Sequence, residues 1–233
     1  NGATITTITD GKDNVILAGN NKILIQQHQN GKEIVYVDSL QLETVQFQDP
    51  NLEAFIRKTI NQPTGDILKD DVLQLEKLYI DPQQIVSLEG MQHLTNLKEL
   101  YIIGNRVADL RPLQHLTKLE ILDLSNNLIT DLTPLQNLKN LQKLDVEHNQ
   151  ITATNGLHAL TKLKFLNLSQ NMLSELEGLR PLKELIGLFL SDNTLGSSSS
   201  ARSVAANAND VLAPLQSLTK LNTLDISDNN LSS

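Results

Sequence analysis

The chain has 233 residues, with 27 acidic against 19 basic side chains and a formal net charge of −8. This acidic balance argues against nucleic acid as a partner, because it offers no excess of Lys and Arg to release counterions from a phosphate backbone. The lack of cysteine excludes disulfides, thiolate zinc sites and cysteine nucleophiles. No apolar run approaches the roughly 20 residues needed to span a bilayer.

Residues 1–46 differ from the rest of the chain, because 40 of its 44 leucines lie after position 50. Alternating Thr, Ile and Val residues between turn signals predict four short strands, at 5–9, 15–18, 23–27 and 33–37. Fewer than about 50 residues rarely fold alone. We therefore expect a small β module that either packs beside the next segment or is the end of a larger upstream domain.

Residues 47–74 are expected to form a helical cap. One apolar stripe at helical spacing is formed by Leu52, Phe55, Ile56 and Ile60. Asp49 or Asn51 stands before this stripe, where a short polar side chain accepts hydrogen bonds from the first free N–H groups of a helix. The stripe is expected to cover the open edge of the structure that follows.

From residue 75 the chain repeats every 22 residues. Six complete units and a partial seventh begin at Leu75, Leu97, Leu119, Leu141, Leu163, Leu185 and Leu221. Seven apolar positions per unit give 42 in the six complete units, and only Thr154 is not apolar. The Leu-x-Leu of each unit predicts a strand with one buried face, and apolar residues three apart predict a 3₁₀-like turn opposite it. Each unit is thus predicted to be one coil of a solenoid whose strands pair in a parallel sheet.

The ninth position of the unit is asparagine in six of the seven units, at Asn105, Asn127, Asn149, Asn171, Asn193 and Asn229. Backbone groups that face inward there need partners, and an amide supplies both a donor and an acceptor. We therefore interpret these residues as structural. The sixteenth position is always Gly or Pro, which indicates a turn rather than a binding site.

These units resemble leucine-rich repeats of the 22-residue type, which bacterial internalins share with a eukaryotic phosphatase-regulatory class. The segment at 47–67 resembles the helical N-terminal cap of internalin-like surface proteins of Gram-positive bacteria. The resemblance implies an α/β solenoid, a leucine-rich-repeat horseshoe with a parallel concave β-sheet and a 3₁₀ or irregular convex face. The helical cap would occupy 47–74 and the repeats 75–233.

Two departures from the repeat stand out. An insertion at 196–211, rich in Ser, Ala and Asn, predicts a surface loop with a short helix at 201–209. It is either a tolerated insertion or a binding loop or processing site. The seventh unit has no outer half and no polar cap. Because solenoids need caps for solubility, we expect the natural chain to continue with more repeats and other domains.

The sequence contains no recognisable catalytic, cofactor-binding or metal-binding motif. It has no nucleophile elbow, phosphate-binding glycine loop or HExxH. His93 and His115 occupy the same outer position in consecutive units, but two solvated side chains are the favoured interpretation. We therefore predict a non-enzymatic protein without a cofactor or a metal.

The side chains that flank each Leu-x-Leu are expected to point away from the core, onto the concave face. Four of the seven aromatic residues fall there, with carboxylates between them. Exposed aromatic residues are costly unless covered, and adjacent carboxylates invite a basic partner or a cation, although strands also favour aromatic residues for their own sake. The predicted partner-binding residues are Tyr79, Tyr101, Ile103, Ile121, Asp123, Asp145, Glu147, Phe165 and Phe189.

The favoured hypothesis is a monomeric, non-enzymatic binding module of a secreted or cell-surface protein, which binds a protein partner through the concave face. The resemblance to internalins implies a bacterial origin, a host protein as target, and roles in adhesion and virulence. The alternative is a cytoplasmic regulator that resembles the phosphatase-binding repeat proteins, or a secreted effector that imitates one. A signal peptide in the full gene would favour the first hypothesis.

Overall fold

A computed structural model describes the chain at residues 6–9, 13–18, 22–28, 32–37, 43–196 and 208–231, with backbone alone up to residue 37. The chain divides into two compact units, Asn1–Thr44 and Val45–Ser233. The sequence predicts this boundary after residue 46. Residues 197–207 of the predicted insertion, which include most of its predicted helix at 201–209, lie outside the described residues.

The first unit contains a four-stranded antiparallel sheet in the order β1-β2-β3-β4. Its strands are β1 Thr6–Thr9, β2 Asp13–Ala18, β3 Lys22–His28 and β4 Lys32–Val37. All four strands predicted from the alternation of β-branched residues are present. The predicted turns between them lie outside the described residues.

The second unit begins with the predicted cap helix, α1, at Pro50–Thr59. Asp49 is its N-cap, because one carboxylate oxygen accepts hydrogen bonds from the N–H groups of Asn51 (2.9 Å) and Leu52 (3.2 Å). Leu52 and Ile56 are fully buried, which confirms the apolar stripe. A second short helix, α2, follows at Lys69–Leu73.

The repeats form a seven-stranded parallel sheet in which every strand pairs with the strand of the next coil. Its strands are β5 Lys77–Ile80, β6 Glu99–Ile102, β7 Ile121–Asp123, β8 Lys143–Asp145, β9 Phe165–Asn167, β10 Gly187–Phe189 and β11 Thr223–Asp225. Helix α3, Ala208–Leu212, precedes the last 3₁₀ helix. The convex side carries 3₁₀ helices at Met91–His93, Arg111–Leu113, Thr133–Asn137, Glu177–Leu179 and Ala213–Ser217.

The fourth coil has turns where the neighbouring coils have a 3₁₀ helix. Gly156 in this coil has φ +89°, a left-handed conformation that a 3₁₀ helix does not contain. A Cβ at Gly156 would lie 2.4 Å from the carbonyl oxygen of Leu132. In the same coil Thr154 is buried, and its hydroxyl accepts a hydrogen bond of 3.0 Å from the N–H of Gly178 in the next coil. This bond explains how the one polar residue in the apolar pattern is tolerated.

The asparagine ladder, which is the set of ninth-position asparagines, joins consecutive coils. The Oδ1 atom of Asn127 accepts a hydrogen bond from the N–H of Val107 in the preceding coil (3.1 Å). Its Nδ2 group donates to the carbonyls of Ile102 in the preceding coil (2.7 Å) and of Leu124 in its own coil (3.0 Å). Asn149, Asn171 and Asn193 make equivalent bonds. The structural interpretation of these residues is therefore confirmed.

Candidate functional site

The strand register aligns the side chains of the concave face in rows that cross the sheet. The central row, in coil order, is Tyr79, Tyr101, Asp123, Asp145, Asn167, Phe189 and Asp225. The first row, two residues earlier in each coil, is Lys77, Glu99, Ile121, Lys143, Phe165, Gly187 and Thr223. The third row, two residues later, is Asp81, Ile103, Ser125, Glu147, Ser169, Ser191 and Ser227.

Two tyrosines stack at the N-terminal end of the central row. The rings of Tyr79 and Tyr101 are 4.4 Å apart between centroids, with an angle of 10° between their planes. Tyr79 is 56% exposed, whereas Tyr101 is half-buried. Burial, assisted by the hydrogen bond with Tyr79 and by nearby negative charges, raises the pKa of Tyr101 to about 12. The pair therefore presents a neutral aromatic surface with hydroxyl groups at its edge.

A local ion pair neutralises the carboxylate beside the tyrosines. Lys77 Nζ lies 2.5 Å from Glu99 Oε1, and the hydroxyl of Tyr79 donates a hydrogen bond of 3.3 Å to Glu99 Oε2. The hydrogen bond from Lys77 holds the pKa of Glu99 below its usual range. This end of the concave face therefore supplies its own counter-ion.

Asp123 and Asp145, in the middle of the face, each accept hydrogen bonds from the turn that follows their strand. The Oδ1 atom of Asp123 accepts hydrogen bonds from the N–H (3.0 Å) and hydroxyl (2.7 Å) of Ser125. The Oδ1 atom of Asp145 accepts one of 3.1 Å from the N–H of Glu147. Each aspartate thus uses one oxygen for the turn and leaves the other on the concave face.

Asp145 is half-buried between two other carboxylates. Burial raises its pKa, and the charges of Asp123 and Glu147 add to this effect, although hydrogen bonds from its own turn and from Asn167 oppose it. The amide of Asn167 donates to Glu147 Oε2 (3.0 Å) and Asp145 Oδ2 (3.3 Å). Among the described residues, none of the three carboxylates forms an ion pair. Negative charge is therefore concentrated here without an ion-paired cation.

A hollow of about 430 Å³ lies next to these carboxylates. It is lined by Lys143, Leu144, Asp145, Phe165, Leu166, Asn167 and Phe189. Gly187 leaves the space into which both rings lean, because a Cβ there would lie 2.9 Å from Phe165 Cδ1 and 3.5 Å from Phe189 Cε2. Phe165 is 46% exposed. The hollow thus has an aromatic side, and a carboxylate at its other side.

The structure places all nine predicted residues on the concave face, in two groups. Tyr79 and Tyr101 form the first group, and the hollow with its carboxylates forms the second. Ile121 and Ile103 lie between them, and Ile103 is 38% exposed. Whether these residues bind a partner remains a prediction.

Three residues that shape the second group, the hollow with its carboxylates, were not predicted from the sequence. Gly187 makes room for the two rings, and Asn167 and Lys143 line the hollow. A signal was present in the rows, since Gly187 is the one glycine of the first row and Asn167 is the one amide of the central row. The sequence does not show the direction in which the rings of Phe165 and Phe189 turn, and the role of Gly187 and Asn167 depends on that direction.

Within the described residues 43–196 and 208–231, no group of three or more His, Asp or Glu side chains is arranged to hold a metal ion. No helix among the described elements has the length and apolar character needed to cross a membrane.

Comparison with known proteins places this geometry among leucine-rich repeats. The family model "Leucine Rich repeats (2 copies)" matches residues 95–137, 117–157 and 139–181. No curated protein matches the chain significantly. Among solved structures, an internalin (InlF) of Listeria monocytogenes is 25% identical with a TM-score of 0.64, and the match covers 84% of this chain and 62% of that one.

Two further solved structures are also similar to this chain. Internalin C2 of Listeria monocytogenes is 28% identical with a TM-score of 0.60, over 84% of this chain and 93% of that one. A leucine-rich-repeat protein of Leptospira interrogans is 28% identical with a TM-score of 0.61, over 72% of this chain and 41% of that one. The 22-residue period, the helical cap, the open parallel sheet and these similarities together show that residues 45–233 have a leucine-rich-repeat solenoid fold similar to that of internalins.

Proposed function

We propose that this chain is a non-enzymatic binding module of an exported bacterial surface protein, and that its concave face binds a protein partner. The observation that carries the proposal is the exposure of aromatic side chains on an open sheet. Tyr79 and Phe165 each expose about half of their surface. Exposed aromatic side chains of this kind are favoured as anchors of protein interfaces, where a partner removes them from water.

The arrangement of charge supports the same face. Aromatic groups lie at both ends of a patch of carboxylates, so a partner would find apolar anchors and an electrostatic guide side by side. Charge pairs at interfaces set orientation and association rate more than affinity. Asp123, Asp145 and Glu147 would therefore orient the partner, while Tyr79, Tyr101, Ile103, Ile121, Phe165 and Phe189 would supply the apolar contact.

Export and a host target are the less direct part of the proposal. They rest on similarity to internalins, two of which, from Listeria monocytogenes, share the fold at 25% and 28% identity. Roles in adhesion and virulence would follow if the partner is a host protein. A signal peptide in the full gene and detection of the protein at the bacterial surface would test this part separately.

Photo-crosslinking would test the face itself. A benzophenone amino acid at Ile103, between the two groups, should crosslink a protein from host-cell extracts, whereas the same amino acid at His158 on the convex side should not. The crosslinked protein would then be purified and its affinity measured. Crosslinking from His158 alone would place the interface elsewhere.

The affinity measurement has a matched control. The Tyr79→Ala/Phe165→Ala variant should bind the identified partner about 100-fold more weakly, since aromatic anchors are typical hot spots. The control is Leu128→Ala/Met172→Ala, which removes two apolar side chains of similar exposure (40% and 45%) outside the three rows. Its affinity should change by less than about threefold. Equal affinities of the two double variants would refute the proposed face.

A further inference from the structure

We infer that the hollow between β8, β9 and β10 receives an arginine side chain of the protein partner, with the guanidinium group on Asp145 and the aliphatic stem against Phe165 and Phe189. This inference rests on the proposed function, because it specifies the chemistry that the partner presents to the same face. It adds a defined subsite and a defined side chain.

The first argument is the charge of the face. Its three rows contain two ammonium groups, Lys77 and Lys143, and six carboxylates. The carboxylates are Asp81, Glu99, Asp123, Asp145, Glu147 and Asp225. Lys77 is already paired with Glu99. Lys143 forms no ion pair among the described residues, so a cationic group from a partner would complement the unpaired carboxylates in the middle of this face.

The second argument is the position of Asp145. It lines the hollow, it is half-buried, and only amide N–H groups donate to it among the described contacts. A charge in this setting is less well solvated than one on an open surface, so a cation gains more from pairing with it. Asp145 is therefore the carboxylate on which a partner's cation would be held most strongly.

The third argument is the aromatic side of the hollow, which selects among cations. A guanidinium group is weakly hydrated and stacks on aromatic rings, and its long apolar stem packs against hydrophobic surface. Phe165 and Phe189 offer the rings, and the amide of Asn167 lies between them and Asp145 in the central row. An ammonium ion is more strongly hydrated and cannot stack flat on the rings, so arginine matches both sides of the hollow better than lysine does.

Lys143 is the one cation on the wall of the hollow. Its side chain is exposed and makes no ion pair with Asp145 or Glu147. It stands two residues before Asp145 on β8 and would repel an incoming guanidinium group. Removing its charge should therefore strengthen binding, which gives the test a variant with a gain.

Short capped peptides would test the subsite in the full chain. N-acetyl-Gly-Arg-Gly-amide is titrated into the protein while the methyl NMR signals of Leu144 and Leu166, which line the hollow, are followed. Saturable shifts with a dissociation constant of about 1–10 mM are expected for a single side chain. The citrulline peptide, which has the same shape without the charge, should bind about tenfold more weakly. A third peptide, with leucine in place of arginine, tests apolar contact alone. The inference would be overturned if the citrulline or leucine peptide bound as tightly as the arginine peptide, or if no peptide gave a saturable shift.

Variants assign the charge to one carboxylate. Asp145→Asn should weaken arginine binding about tenfold, and Asn167 already occupies the same row in the next coil, so the turn is retained. The control is Asp131→Asn on the convex side, whose carboxylate accepts a comparable 2.8 Å hydrogen bond from the N–H of Thr133. Lys143→Met should bind the arginine peptide about threefold more tightly. Unchanged affinity in Asp145→Asn would overturn the inference.

Gly187→Ala tests the aromatic side without touching charge. The new Cβ would lie 2.9 Å from the ring of Phe165 and must displace it, so arginine binding should fall while citrulline remains the weaker ligand. The proposed function is tested independently by crosslinking from Ile103. Retained crosslinking with no arginine preference would overturn only the subsite, whereas loss of both would overturn the binding face as well.

Discussion

The asparagine ladder and the central row of the concave face both place short polar side chains in the third and fourth coils, Asn127 and Asn149 in the ladder and Asp123 and Asp145 in the row. Asn127 in the ladder is 4% exposed, and its amide makes hydrogen bonds to two coils through both of its polar atoms. Asp145 in the central row is half-buried, shares its turn with Glu147, and forms no ion pair among the described residues. In a solenoid, the residue type alone therefore does not distinguish a structural position from a binding position. The number of hydrogen bonds and ion pairs that the side chain already makes within the fold distinguishes them better.

The largest effect on stability is expected in the ladder. Asn127→Ala should lower the free energy of unfolding by about 3 kcal/mol, because buried N–H and C=O groups in two coils lose their partner. Urea unfolding monitored by circular dichroism measures this loss. Asn137→Ala, at an exposed position of a convex 3₁₀ helix, serves as control and should cost less than about 0.5 kcal/mol. Similar losses in the two variants would mean that the ladder carries no special stability.

Asp49 shows a carboxylate that the fold uses completely. Its Oδ1 atom caps α1, and its Oδ2 atom accepts hydrogen bonds from the N–H groups of Val86 (2.7 Å) and Ser87 (3.2 Å) in the first coil. Asp49→Ala should therefore lower the free energy of unfolding by about 2 kcal/mol, since it removes a helix cap and the bonds that tie the cap to the repeats. A loss below about 0.5 kcal/mol in urea unfolding would contradict this role.

The contribution of Asp49 should also depend on pH. Burial opposes ionisation of Asp49, but the four backbone donors outweigh it and lower the pKa of its carboxyl group. A carboxyl group whose pKa is lower in the folded state stabilises fully above the unfolded-chain pKa and loses that stabilisation as the pH falls through the folded-state pKa. The difference in unfolding free energy between the wild type and Asp49→Ala should therefore shrink in acid. A difference that grows in acid would contradict this assignment.

Much of the fold follows from the 22-residue period alone. The period fixes which residues are neighbours across the sheet, so the rows of the concave face and the ladder were predictable. The stripe of α1, which precedes the repeats, followed from helical spacing instead. The second pair of hydrogen bonds at Asp49 was not, because helix-capping rules describe the local N–H groups and not those of Val86 and Ser87. The left-handed residue at the eighth position was also missed, since Asn126 suggests it but His148 and Gln170 do not.

The candidate site was predictable as a face and not as a shape. Seven of the nine predicted residues lie in register on the strands because the rows follow from the period. The hollow depends on the direction in which Phe165 and Phe189 turn over Gly187, and side-chain rotamers are set by packing that the sequence pattern does not contain. The ion pair of Lys77 with Glu99 likewise distinguishes one end of the face from its middle, where Asp123, Asp145 and Glu147 form no ion pair among the described residues.

The smallest expected effect is a gain of stability on substitution of Asp145. It is also the sharpest test of the contrast between the asparagine ladder and the central row. Because burial and the neighbouring charges raise the pKa of Asp145, its ionised form destabilises the folded state. That cost is complete above the folded-state pKa and vanishes as the pH falls below the unfolded-chain value. Asp145→Asn should therefore raise the unfolding free energy by about 0.5 kcal/mol at neutral pH, and the gain should disappear in acid. A variant that is less stable at neutral pH would place Asp145 with the ladder asparagines, as a residue that the fold needs. A more stable variant that binds the arginine peptide more weakly would show a carboxylate kept at a cost to stability, as expected of a residue that serves a partner.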